Sequence, residues 1–388
     1  MTAMGTVMSK HERVKRQALG LEVDRIPKCG GWMLGVESVA WLAELSVQAY
    51  LADPWTGMLR ANQRLGADAL ITPRAPDQVG GIRFSHVTQE DFSAVQPEVF
   101  VELAESLPDS EAEVRAAYDA DAAEQNYRTS YGDLLGRVGD MALIPTHWEA
   151  QPNFMLYCRY GYEAYLSAIA LYPAAVGKVY WADGIQARAR NERLIKVMRE
   201  YDLPWLVFCG QDFCSGQGLM VSPRFLDDYY WPQARRALEP LLDAGVRLIF
   251  HCDGNAMPIV NSASACGWSG WQGFQYEFGV DPYRLRELRG RQDRAPLFLA
   301  GLSVTRTLPW GQPEDAAAEV EWIMEYSNGG EGLFLFTSNV ITAEAPPQNV
   351  LAAYRHLDRL APGWGAGAAP REWPWAVKGR QTGRVGLS

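Results

Sequence analysis

Short apolar runs that stop abruptly at polar residues recur along the chain, separated by longer amphipathic stretches. The first ends near Cys29–Trp32. The others are Ala67–Thr72, Met141–His147, Trp205–Asp212, Arg247–Asp253, Trp271–Glu277, Leu297–Leu302 and Gly332–Asn339. Runs of this length bounded by Gly, Pro or Asn read as buried parallel strands. Residues 9–20, 41–66 (broken around Asp53-Pro54), 153–169, 173–201, 223–244, 281–289 and 313–327 read as helices. Ser9 stands before Glu12 at capping-box spacing, and Gly20 stops the first helix. Alternating strands and helices imply an α/β fold with a parallel sheet. Eight such units predict a (β/α)8 TIM barrel preceded by an N-terminal helix.

The rhythm fails between residues 76 and 140, where an exposed stretch (Gly80-Gly-Ile-Arg-Phe84), an acidic helix near 108–121 and a polar turn region follow one another. This segment is expected to be an insertion near the barrel mouth, or else a peripheral subdomain. Residues 1–360 then form one barrel domain. The Gly/Ala/Pro-rich, basic tail 361–388 is expected to be mobile, or draped over the surface or over a partner subunit of a homodimer.

In such a barrel the loops after the strands build the active-site face. The polar tips are Trp32, Arg74, His147, Gln211 with Asp212, His251 with Asp253, Gln275 with Glu277, Ser303 with Arg306, and Ser338 with Asn339. Side chains alternate along a strand, so His251 and Asp253 share a face while Cys252 points away. A His-x-Asp pair at a strand end can bind a metal, pass a proton or simply form a hydrogen bond. Together the tips supply nitrogen and oxygen donors with aromatic walls, a set suited to Zn²⁺ or to acid/base work near an organic substrate. Each tip also has a plain structural use. Asp212 and Ser303 can cap helices, Glu277 can pair with an arginine, and His147 can be a satisfied core histidine.

Composition narrows the classes. A net charge of -10 argues against nucleic acid or an anionic membrane as the main partner. No apolar run approaches the roughly 18 residues of a membrane span, and the first ten residues lack a signal-type apolar core, so a cytoplasmic protein is expected. The six cysteines have no disulfide-framework spacing. With 14 Trp and 17 Tyr, aromatic-lined clefts are expected beside an aromatic core.

Several motifs appear in one order: Gly210-Gln-Asp-Phe213, Ser222-Pro-Arg-Phe225, Leu241-Leu-Asp-Ala-Gly-Val-Arg-Leu-Ile-Phe-His251-Cys-Asp-Gly-Asn255, Phe298-Leu-Ala-Gly301, Leu308-Pro-Trp-Gly-Gln-Pro-Glu314 and Ala345-Pro-Pro-Gln-Asn349. This order, with Val23-Asp-Arg-Ile-Pro27 after the leading helix, resembles the uroporphyrinogen decarboxylase superfamily over most of the chain outside 76–140. True decarboxylases of that family carry an arginine motif after the first strand and an aspartate after the second. Here those places read Gly30-Gly-Trp-Met-Leu-Gly35 and Thr72-Pro-Arg-Ala-Pro76. The other branch consists of corrinoid-dependent methyltransferases, whose thiol-methylating members bind zinc through His-x-Cys and a later cysteine. His251 matches, but Asp253 and roughly Ser338 stand in the cysteine places.

The resemblance therefore implies a methyltransferase of the O-demethylating kind. It would move a methyl group from a small, aromatic methyl ether or methylated substrate to cobalamin presented by a partner corrinoid protein, since the chain has no Asp-x-His-x-x-Gly signature of its own. Expected roles are His251, Asp253 and Glu277 around zinc or a proton, and His147 and Asp212 as acid/base groups or supports for the ligands. Trp32, Arg74, Gln211, Gln275, Arg306 and Asn339 would contact substrate, with Arg306 taking an anion and Trp32 forming a wall. Rival readings are a decarboxylase acting on another carboxylated substrate and a non-catalytic binding homologue.

Overall fold

The computed structural model describes residues 7–80 and 91–382; residues 81–84 of the exposed stretch, and the tail from 383 onward, lie outside them. The apolar runs form parallel strands at the expected places: β1 (Cys29–Gly30), β2 (Ala69–Ile71), β3 (Ala142–Ile144), β4 (Leu206–Gly210), β7 (Arg247–His251), β8 (Gly270–Gln272), β9 (Leu297–Leu302) and β10 (Leu333–Thr337). A small antiparallel hairpin, β5 (Cys214–Ser215) with β6 (Gly218–Leu219), follows β4. One parallel sheet has the order β1-β2-β3, and the other β10-β9-β8-β7-β4. Single parallel bridges, Lys28 to Leu335 and Thr146 to Phe208, join the two sheets at both of their edges.

The runs are apolar throughout because both faces of each strand are buried. Ala69, Ile71, Ala142, Ile144, Leu206, Phe208, Ile249, Leu297, Leu299, Phe334 and Phe336 alternate into one inner cluster. Their neighbours Leu143, Val207, Cys209, Leu248, Phe250, Phe298, Ala300, Leu333 and Leu335 face the surrounding helices. Helix α1 (Lys10–Leu19) adds Val14 and Ala18 to the inner cluster. Ser9 Oγ caps its first turn at Glu12 N, and Gly20, at φ 72°, ends it by donating to Arg16 and Gln17 carbonyls. The expected break at Asp53-Pro54 is present, with Asp53 capping Pro54–Leu65, and a further break before Ser46 divides the segment again.

Within 91–140 the helices Val99–Ser106, Glu111–Ala117 and Ala120–Leu135 pack along the long helix Pro173–Glu200. Up to residue 382 the tail lies draped against this chain. Trp373 is buried against Tyr276, Arg371 O accepts from Trp322 Nε1, and Lys378 pairs with Asp315. Among the described residues no helix is long and apolar enough to cross a membrane.

Candidate functional site

His251, Asp212 and Asp253 meet where β4 and β7 end, with one ligand atom of each within 4.8 Å of the others. Two β-strands running side by side bring the tips together, and Gly210 makes the approach possible. At φ 105°, a Cβ on Gly210 would lie 2.3 Å from His251 N, so only glycine fits. The strand phase places His251 and Asp253 on the same side, as expected, while Cys252 is buried away from them under Phe213 N.

His251 Nε2 lies 3.5 Å from Asp212 Oδ1 and 3.9 Å from Asp253 Oδ1. Its ring is wedged among Trp32, Trp148 and Phe208 at centroid distances of 6.1, 5.4 and 5.7 Å. Its Nδ1 is hydrogen-bonded to Gln272 Oε1. Asp212 Oδ1 accepts from Asp253 N at 2.7 Å, and Asp253 Oδ2 accepts from Asn339 Nδ2. Asp253 Oδ1 is shielded from solvent without a hydrogen-bond partner. Burial raises the Asp253 carboxyl to about 6; the nearby His251 opposes the rise and the Asp212 charge adds to it. A nitrogen and two carboxylates converging with an orphaned oxygen form a donor set that fits Zn²⁺.

The expected residues divide. Trp32 is buried against Phe208, His251 and Phe336, and Asp212 joins the trio. Glu277 stands outside this trio: β8 stops at Gln272, the chain turns at Gly273, and Glu277 falls on a short 3-10 turn, close enough for its charge to raise the Asp253 carboxyl. Its Oε1 accepts from Thr305 Oγ1, and its other oxygen is shielded without a partner. His147 stands apart from the trio. In the phase of Ala142 and Ile144 it points outward, against Tyr127 at 5.4 Å, and burial with the Arg190 charge lowers it to about 3. Trp148, the next residue, takes the inward place.

Gln211 and Gln275 are braces. Gln211 Oε1 accepts from Phe154 N while its Nε2 donates to Trp148 O, and Gln275 Oε1 accepts from Gly254 N. Ser303 Oγ caps Arg306 N, the plain use of a serine at that junction. Arg306 also donates to Thr305 O, and Arg74 is exposed after β2 with its N–H on Gly31 O. Sequence reasoning missed Gln272 and Trp148, although the period-two phase of β8 and β3 carries both inward.

Beneath Glu277 lies a second buried acid. Glu319 accepts from Trp373 Nε1 at 2.6 Å and from Ser303 N at 3.2 Å, yet burial raises it to about 8. Its folded pKa therefore lies above an unfolded value of about 4.3. The stability it contributes is complete below that value and lost as pH rises through about 8. Urea unfolding at a series of pH values should show this decline in the wild type. In Glu319→Gln the part of the decline that reaches up to about pH 8 should disappear, leaving that of Asp253, which ends near 6; an unchanged slope would reject the assignment.

By sequence, neither a known protein family nor any curated protein matches the chain. By structure it is similar to a methyltransferase from Methanosarcina mazei, with a TM-score of 0.55 and 15% identity, covering 91% of this chain and 99% of that one. At that identity the likeness shows a shared mixed α/β fold with parallel strands over nearly the whole of both chains.

Proposed function

We propose that the chain is a methyltransferase in which Asp212, His251 and Asp253 hold Zn²⁺ at the mouth of a closed (β/α)8 barrel. The two parallel sheets, bridged at both edges, support the barrel reading. The observation that carries the function is the nitrogen and two-oxygen trio with its orphaned Asp253 Oδ1, on a fold like that of a known methyltransferase. Bound there, Zn²⁺ supplies Lewis acidity to a departing heteroatom. An oxygen-rich set makes a harder centre than a cysteine set, so an ether oxygen suits it better than a thiolate.

The chain's own contribution is orientation and exclusion of water. Trp32 and Trp148 pack edge-on against His251, and their apolar rings beside the trio support a small aromatic methyl ether as the substrate. The methyl acceptor is a corrinoid carried by a partner protein, since this sequence has no signature for holding one. Asp212, Asp253 and Glu277 make this region acidic, which disfavours the decarboxylase rival that must gather substrate carboxylates.

Metal analysis of the purified protein tests the first half. Methylcobalamin absorbance after mixing with cob(I)alamin and methoxylated aromatics tests the second. Zinc near one per chain and chelator-sensitive methyl transfer are expected. A metal-free protein whose turnover survives chelators would reject the zinc site, and turnover of uroporphyrinogen on the order of 1 s⁻¹ would restore the decarboxylase.

A further inference from the structure

Gln272 ends β8 with its side chain buried beside His251. Its Nε2 lies 2.8 Å from Thr337 O and 2.9 Å from Ser338 O. Carbonyl oxygens only accept, so the amide nitrogen must face them and the orientation of the amide is fixed. Oε1 is left facing His251 Nδ1, and an amide oxygen also only accepts. Nδ1 therefore carries a hydrogen whether the ring is neutral or charged. Nε2 is the nitrogen that faces Asp212 and Asp253. In the neutral ring its lone pair points toward two carboxylate oxygens, an unfavourable arrangement unless a proton or a metal cation lies among them.

We infer that Gln272 is a positioning residue: it holds His251 as the Nδ1–H tautomer and aims the Nε2 lone pair at the cation position shared with Asp212 and Asp253. Metal-bound histidines commonly have such a partner on their other nitrogen, often a carboxylate. An amide orients the ring without adding charge, so the ligand set keeps the charge of its two carboxylates only. The end of β10 governs both ligands, because Thr337 and Ser338 carbonyls orient Gln272 while Asn339 holds Asp253. This inference deepens the zinc reading and depends on it only for the nature of the cation.

The test uses the full chain, metal-free and labelled with ¹⁵N-histidine, at about pH 8, above the usual histidine range. The His251 signals are assigned by their loss in His251→Gln. Wild type should show Nδ1 protonated, with Nε2 either bare or sharing a proton with the two carboxylates. Gln272→Met, similar in length but with neither acceptor nor donor, should move the ring to the Nε2–H form or a mixture. It should also weaken Zn²⁺ binding, read by competition with a chromogenic chelator, by about 10–100-fold. Gln272→Glu keeps an acceptor and should retain the Nδ1–H form and bind Zn²⁺ more tightly than Gln272→Met.

A wild-type His251 bare at Nδ1 and protonated only at Nε2, or a folded Gln272→Met protein with an unchanged tautomer, overturns the inference. The wild-type spectrum alone decides the tautomer if Gln272→Met does not fold. Should the wild type bind no Zn²⁺, the metal reading fails while the tautomer still settles what Gln272 does. A purely structural Gln272 would lower the melting temperature in both variants and leave the tautomer where it was.

Discussion

His251→Ala is expected to fold, to lose its zinc and to lose methyl transfer with it. The histidine is the one nitrogen donor of the proposed set, and the remaining carboxylates, Asp212 and Asp253, are a poorer match to Zn²⁺ without it. The change is not free for the fold. His251 is only 6% exposed, wedged among three aromatic rings, and its removal orphans Gln272 Oε1. An unsatisfied buried acceptor costs about 1–3 kcal/mol, which a domain stable by roughly 5–15 kcal/mol survives. Metal content, denaturant midpoint and methyl transfer should be measured on the same preparation. Retained zinc would place the metal elsewhere. Retained activity with lost zinc would make the trio a structural hydrogen-bonded cluster.

The parallel strands could be read from the sequence because each is buried on both faces and so is written as an unbroken apolar run. The pairing of His251 with Asp253 followed from the same period of two. What misled the reading was where strands stop. Glu277 was placed by extending the β8 run past Gly273, whereas at φ 96° that glycine turns the chain with its Cα packed against Cys252 O. His147 looked chemical because it is a histidine, yet the inward phase of Ala142 and Ile144 already assigned that side to Trp148. Nothing in one sequence shows that the carbonyls of Thr337 and Ser338 orient the Gln272 amide. Composition leaves the Gly/Ala-rich tail open between mobile and draped, because it does not reveal that Trp373 finds Glu319 across 54 residues.

Asp68→Ala is expected to be among the most destabilising single changes in the chain, at about 3–5 kcal/mol. The motif Val23-Asp-Arg-Ile-Pro27 shows why. Arg13 on α1 donates to Asp24 at 2.6 and 2.8 Å and to Asp68 at 2.6 Å, Arg25 grips Asp68 with two nitrogens at 2.7 and 2.8 Å, and Lys28 N donates to the same carboxylate at 3.0 Å. Asp68 is fully buried and Arg13 3% exposed, so the carboxylate ties α1 and the start of β1 to the start of β2. Without it Arg13 keeps Asp24 and the Met8 carbonyl, and Lys28 N–H is left without an acceptor. Asp24 adds a pH signature. The Arg13 hydrogen bond lowers it to about 2, so its contribution is present above an ordinary carboxylate pKa and is lost as pH falls from about 4 toward 2. Denaturant unfolding of Asp68→Ala, Arg13→Met and the pair decides the matter. The double variant should be less destabilised than the sum of the singles, because with both removed neither Arg13 nor Asp68 is left as a buried charge facing its lost partner. Additive losses would show that Asp68 and Arg13 act independently, and the lock between α1 and the strands would have to be sought in apolar packing instead.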